Sequence, residues 1–311
     1  MGAVTPEGQL LGTFSWKPGE KSGLYLIDPT TKALTSIPWP SKMGAPVGQI
    51  IDEVATRRWI VWLVSRSTDP DQTPWKLYSY DRRRHVSRLL GSAPRTKEGF
   101  PSSPGYSWPS VDGSGRVYLD EVRDVGTTPT PFVASVPADG SAPLRVVTRG
   151  IAPHASGEYL AYARSTGKVL TVWRKDLGTG RSQLLYDGRG TNCNSGDGLV
   201  SARGRTAILV QCVDPREDEV LVYEGAKPDL LIRGHDLNYL EMTSAYLSVA
   251  PAVTRQAGFY RQVVYRFGDR DLFTLGGTEN LGDTPGSGPL LEWGAWNPKT
   301  KTTTTHLIRL R

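Results

Sequence analysis

The sequence predicts an all-β fold assembled from repeated antiparallel units, and three observations predict it. The first is a strand–turn–strand phrase that recurs along the 311 residues. Its best-formed copy is GLYLIDPTTKALTSI at 23–37; others stand at 76–90, 132–147, 169–185, 219–232 and, more loosely, 262–275. The second is a composition rich in Gly (34), Pro (23), Trp (9) and Tyr (13), which suits many short strands punctuated by turns. The third is the lack of any sustained apolar stripe at helical spacing. Repeated units bury their faces only against neighbours, so residues 1–311 are read as one ring-like domain.

Residues 9–16, QLLGTFSW, form a strand leading into the first hairpin. That hairpin runs Leu24–Ile27, turns over Asp28–Lys32 and returns along Ala33–Ile37. After a Pro/Gly connector at 38–48, the second unit opens at Gln49-Ile50-Ile51 and continues through WIVWLV at 59–64. Such a nearly all-apolar run fits a strand covered on both faces. A loop at 67–75 precedes the second hairpin, KLYSYDRRRHVSRLL. The segment 91–109 is rich in Pro, Gly and Ser and is read as a long inter-unit loop, because the same grammar resumes at once. Long ordered loops are where binding concentrates.

The third unit holds PSVDGSGRVYLDEV (109–122), a polar Thr/Pro loop at 126–131 and a hairpin at 132–147. The fourth, APHASGEYLAYA (152–163), turns at Ser156-Gly157 and then alternates Tyr159-Leu160-Ala161-Tyr162 before its hairpin. The fifth has two strands within 198–212, joined by the tight turn Arg203-Gly204-Arg205. The sixth has AYLSVAP at 245–251. The C-terminal PLLEWGAWNPKTKTTTTHLIRLR parallels the N-terminal QLLGTFSWKPGEKSGLYLID: a Leu-Leu strand ending in Trp, a Pro/Gly/Lys turn, then another strand.

HASGEYLAY (154–162), SVDGSGRVYL (110–119) and LYLIDPTTKALT (24–35) resemble the repeat of TolB-type, WD40-like β-propellers, although the Ser-Pro-Asp-Gly turn of that repeat is never complete. The resemblance covers nearly the whole chain. It implies four-stranded antiparallel blades around a central channel. Seven blades are favoured, with inner-hairpin strands starting near Leu24, Leu77, Phe132, Leu170, Val220, Val263 and His306; six is the alternative. Pairing of the N- and C-terminal strands would close the ring and remove free edges.

Cys193 and Cys212 are the only cysteines, and folding the hairpin about Gly204 brings them level, within bridging distance. A disulfide is expected, two buried thiols being the alternative. A disulfide would place the protein outside the cytosol. The N-terminal residues lack the basic and apolar regions of a signal peptide. The protein is therefore read as periplasmic, envelope-associated or extracellular with its leader absent from this chain, or else as cytoplasmic. No stretch approaches the roughly 20 apolar residues of a membrane span.

The net charge of +6 invites polyanions. No run of like charge exceeds Arg82-Arg83-Arg84, too short for a nucleic-acid arm, so nucleic acid is not the expected partner. Arg82, Arg83 and Arg84 form a basic knob on a hairpin turn. Trp75 and Trp108, in Pro-rich loops like Trp39, are the candidate aromatic contacts; the competing role is to cap the apolar ends of neighbouring blades. His85, His154, His235 and His306 show no ligand spacing, so no metal site is expected. The Asp- and Asn-rich segment 187–198 has the oxygen chemistry of a Ca²⁺ site without its usual register; a turn cluster is expected there, and no cofactor.

No nucleophile elbow, phosphate loop or dinucleotide fingerprint is present. The neighbouring carboxylates Asp52/Glu53 and Asp120/Glu121 point to opposite faces of a strand. The expected function is a monomeric, non-enzymatic binding or scaffold module that contacts a protein, glycan or envelope component through one rim or the channel mouth. The alternative is a carbohydrate-active propeller enzyme, a lyase or glycosidase, with its site in the central channel.

Overall fold

A computed structural model describes residues 3–14, 23–40, 49–65, 75–94, 109–126, 128–166, 169–191, 193–212, 217–251, 262–275, 286–297 and 299–310, and every regular element in them is a β-strand. The chain forms two compact units, Gly2–Arg164 and Ser165–Arg311.

Seven sheets follow one another along the described residues, each with its strands in chain order. The first has three strands, β1 (Leu10–Phe14), β2 (Gly23–Ile27) and β3 (Leu34–Ser36). The second has β4 (Gln49–Ala55), β5 (Trp59–Ser65), β6 (Trp75–Asp81) and β7 (Val86–Ser92). The third has β8 (Ser110–Val111), β9 (Arg116–Val125), β10 (Thr128–Pro137) and β11 (Arg145–Arg149), and the fourth β12 (Ile151–Ser156), β13 (Tyr159–Thr166), β14 (Val169–Asp176) and β15 (Ser182–Asp187). The fifth has β16 (Cys193–Ala202), β17 (Arg205–Cys212), β18 (Asp218–Tyr223) and β19 (Pro228–Gly234). The sixth has β20 (Leu237–Met242), β21 (Tyr246–Pro251), β22 (Val263–Arg266) and β23 (Asp271–Thr274). The last has three strands, β24 (Gly286–Ser287), β25 (Leu290–Asn297) and β26 (Thr302–Arg309).

The second sheet shows how the pleat sorts side chains. Successive residues of a strand face opposite ways. Trp59, Val61 and Leu63 of β5 pack with Trp75, Leu77, Val117, Leu119, Ala134 and Val136, towards the third sheet. Ile60, Trp62 and Val64 pack the other way with Leu11, Leu24, Leu26, Tyr78 and Tyr80, towards the first. Both faces of β5 are thus covered, as its apolar run requires. Trp39 lies edge-on to Trp62 and Tyr78, with centroids 5.5 and 5.4 Å away; it serves this core rather than a contact surface. In the second unit, Leu209, Val220 and Val222 pack with Leu240, Leu247 and Val249 in the same manner.

Two expected loops are strands. Residues 128–131 begin β10, so the Thr/Pro stretch extends a ten-residue hairpin arm instead of interrupting it. Residues 193–198 belong to β16, whose pairing with β17 slips between Ser195 and Leu199. First strands of other sheets slip too: β4 between Ile50 and Asp52, β12 between Ile151 and His154, and β20 between Asn238 and Glu241.

Four hairpins share one turn. The Asp28 carboxylate accepts the N–H groups of Thr30 at 2.8 Å and Thr31 at 3.1 Å, and Lys32 closes the turn at φ 59. Asp81 does the same for Arg83 at 2.9 Å and Arg84 at 3.2 Å, with His85 at φ 55. Asp176 accepts from Thr179 at 2.7 Å, with Gly180 at φ 73, and Asn297 accepts from Lys299 at 3.0 Å, with Lys301 at φ 53. A short polar side chain that bonds its own backbone fixes such a turn.

These bonds set an acid limit on stability. Asp28 is held below the usual carboxylate range by the N–H of Thr31 and then of Thr30, and Asp176 by that of Thr179. At Asp81 burial pushes upward, but the Arg58 guanidinium and the N–H groups of Arg83 and Arg84 outweigh it. A lowered folded-state value gives stability that is present above the unfolded value of about 3.9 and is lost as pH falls through the folded one. Urea midpoints are therefore expected to drop between about pH 5 and about pH 3. Replacing all three residues by Asn, which accepts without titrating, flattens that drop; an unchanged slope would refute the assignment.

Candidate functional site

In an up-and-down antiparallel sheet, the first and third turns lie at the same end. In the second sheet these are Thr56–Arg58, between β4 and β5, and Arg82–His85, between β6 and β7. Their residues put five arginines side by side. The Arg82 N–H donates to the Arg58 carbonyl at 2.9 Å, tying the turns together.

Two of the five are structural. The Arg82 side chain, 14% exposed, pairs with Glu7 at 2.7 Å. It also donates to the carbonyls of Thr56 and Arg57 at 3.2 Å each and to Gln9 Oε1 at 2.9 Å. It is a clasp between the turns and the N-terminal segment, not the free knob the sequence suggested. Arg58 pairs with the buried Asp81 carboxylate at 3.0 Å and lies over the Trp59 ring at 4.6 Å.

Arg57, Arg83 and Arg84 are different. All three are exposed and make no ion pair among the described residues. Arg88 of β7 is exposed beside them. Asp139, in the turn of the third sheet, is close enough to feel Arg58 and Arg88 weakly; its carboxyl is lowered first by the Ser141 hydroxyl and N–H. The arrangement is a rigid platform of planar cations. Guanidinium forks suit carboxylate and phosphate oxygens, which they bind in pairs of hydrogen bonds. Arg57 and Arg88 escaped the sequence reading. The signal was available: Arg57-Arg58 sits in a two-strand turn that topology places beside Arg83.

The other expected site residues fare variously. Trp75 is not in a loop; it is the first residue of β6 and 0% exposed, packed in the core between the second and third sheets. A ring so buried can anchor nothing outside, and the correction follows from the alternation that also buries Leu77. Trp108 lies outside the described residues. His85 closes the Asp81 turn, its Nδ1 2.9 Å from the Tyr80 hydroxyl. Cys193 and Cys212 face each other across β16 and β17 and are bonded, with Cα atoms 4.0 Å apart. In the segment 187–198, Asp187 is engaged by the Arg189 guanidinium. Among the described residues, no three His, Cys, Asp or Glu side chains converge as a ligand set for a metal ion.

No protein-family model matches the chain, and no curated protein matches it. Solved structures do. An uncharacterized protein from Listeria monocytogenes EGD-e is similar over 100% of this chain and 94% of its own, with 8% identity and a TM-score of 0.63. An oligogalacturonate lyase from Vibrio parahaemolyticus is similar over 100% of this chain and 89% of its own, with 8% identity and a TM-score of 0.62. The β-propeller domain of the Trilobed protease from Pyrococcus furiosus is similar over 65% of this chain and 67% of its own, with 12% identity and a TM-score of 0.51. At such identities the likeness is one of fold. The chain has the β-propeller fold, and its sheets are the blades.

Proposed function

We propose that the protein is a non-enzymatic propeller that binds an acidic partner in the cell envelope or outside the cell, through the rim formed by the turns of its second blade. The observation that carries this reading is the exposed charge of Arg57, Arg83 and Arg84, without an ion pair among the described residues, on turns already clamped by Arg58 and Arg82. Rigid presentation lowers the entropy lost on binding. The Cys193–Cys212 disulfide and the resemblance of the repeats to TolB-type propellers support an oxidising location.

The test uses polyglutamate as a defined acidic probe, titrated over a series of salt concentrations. Wild-type protein is expected to bind with an affinity that falls steeply as salt rises. The variant Arg57→Glu/Arg83→Glu/Arg84→Glu is expected to bind at least about tenfold more weakly, the reversal replacing attraction by repulsion at three points. Equal binding by the two proteins would discard the rim as the contact surface.

One observation favours the second reading, a carbohydrate-active enzyme. Glu53 lies on β4, the first strand of its blade, and burial pushes its carboxyl up to about 7. A carboxylic acid protonated near neutrality is suited to general-acid work on a glycosidic bond. The two readings separate on polygalacturonate: release of reducing ends by the wild type and its loss in Glu53→Gln would replace the binding module with the enzyme.

A further inference from the structure

We infer that the outer edge of β7 receives an extended acidic peptide from a partner protein, which adds to the second blade as a fifth strand. The inference rests on the basic-rim reading and gives its partner a form. β7 is the last strand in its sheet, and among the described residues no strand pairs with its outer edge. An open edge presents a row of backbone donors and acceptors that an extended chain completes. β7 has seven residues, roughly 23 Å at about 3.3 Å per residue, enough to hold a short segment.

Charge and apolar surface coincide on this edge. Arg83 and Arg84 stand at its entrance and Arg88 within it, and no Asp or Glu occurs from Arg82 to Pro94. Val86 and Leu89 are 41% and 40% exposed beside these charges. Exposed apolar side chains alone do not single β7 out, since the outer strands β3, β11, β19 and β23 expose Leu34, Val146, Leu231 and Leu272; what sets β7 apart is its exposed Arg83, Arg84 and Arg88 with no acidic residue among them. The outer strand β19 of the second unit has the same length and is built otherwise: it carries Asp229, and its Arg233 is paired with Glu219 at 3.0 Å. Alternation fixes what the partner must look like. Val86 and Arg88 lie on one face and Leu89 on the other, so a strand alternating acidic and apolar residues sets its acids on the face of Arg88 and its apolar side chains beside Leu89.

The probe is a labelled, end-blocked nonapeptide of alternating Glu and Val, followed by fluorescence anisotropy. Its control is the same peptide N-methylated at every residue, which keeps charge and side chains but offers no N–H group along either edge. The wild type is expected to bind the first at least about tenfold more tightly than the second. Arg84→Glu/Arg88→Glu, at two exposed positions, is expected to lose a similar factor while its thermal midpoint stays unchanged. Amide exchange across 86–92 should slow only with the unmethylated peptide. Equal binding of both peptides, or none of either, overturns strand addition. Polyglutamate distinguishes the two failures: if it still binds and the arginine variants still abolish its binding, the basic rim stands without the added strand; if it too is indifferent to them, the rim reading falls as well.

Discussion

Replacing Arg174 by alanine is expected to destabilise the second unit by about 2 kcal/mol or more, the cost of losing a buried guanidinium and the four charge-assisted hydrogen bonds it makes. Arg174 lies on β14 and is 7% exposed. Its guanidinium donates to the carbonyls of Gly204 at 3.1 Å, Glu224 at 3.0 Å and Gly225 at 3.1 Å, and to Gln183 Oε1 at 3.1 Å. Gly204 lies in the turn between β16 and β17, and Glu224 and Gly225 lie in the turn between β18 and β19. One side chain therefore closes the same end of the next blade twice. Alanine leaves three turn carbonyls to water and a space where the buried fork had been. Lysine should recover less than half of the loss, since a single ammonium cannot match a planar five-donor fork. Urea unfolding of the three proteins checks the ordering. A loss below about 1 kcal/mol for alanine, the value of an ordinary exposed contact, would mean that the turns hold without the clasp.

Removing the disulfide is expected to have the second large effect, near 3 kcal/mol. Cys193 and Cys212 are separated by 19 residues, and closing a loop of that length in the unfolded chain is worth about 3 kcal/mol. The bond also secures the open end of the hairpin, where β16 slips against β17 between Ser195 and Leu199. The Cys193→Ser/Cys212→Ser variant should unfold at markedly lower urea than the oxidised wild type, and a reductant should shift the wild type alone. A thiol count on unfolded, unreduced protein exported through an oxidising compartment should be zero. Two free thiols there would remove both the bond and the support it lends to an exported location.

The middle strands of the blades were legible because their side chains keep period two. WIVWLV announced a strand covered on both faces, and Tyr78 and Tyr80 announced the next. The first strands were harder. In β20 the buried residues are Leu237, Leu240 and Met242, because the slip between Asn238 and Glu241 inserts residues into the alternation. A period-two search passes over such a stretch. β8 and β24 are only two residues each and carry no pattern. The turn about Gly204 made the two cysteines nearly level in the sequence, but on its register Cys212 would face Ser195; the slip between Ser195 and Leu199 is what sets Cys193 opposite Cys212. The site was half legible. Arg82–Arg84 stood out as a run, yet only the hydrogen bonds of Arg82 separate the clasp from the free charges, and only topology adds Arg57. Trp75 misled because its Pro-rich approach read as loop while the residue itself opened a strand.

The shared hairpin turn has a consequence for how this surface can change. Its shape depends on two positions: the first, whose side chain accepts the backbone N–H groups, and the fifth, which takes the left-handed conformation. Of the three positions between them the first two vary most, and the third is Thr in three of the four turns: Pro-Thr-Thr after Asp28, Arg-Arg-Arg after Asp81, Leu-Gly-Thr after Asp176 and Pro-Lys-Thr after Asn297. Each turn is in effect a socket with an interchangeable three-residue insert. A lineage carrying this chain can move its basic rim from one blade to another, erase it or reverse its sign by exchanging inserts, with the blades beneath left as they are. Swapping Arg82–Arg84 with Leu177–Thr179 would separate the insert from its site: the Arg82 clasp is lost with its blade, while the exposed charges travel.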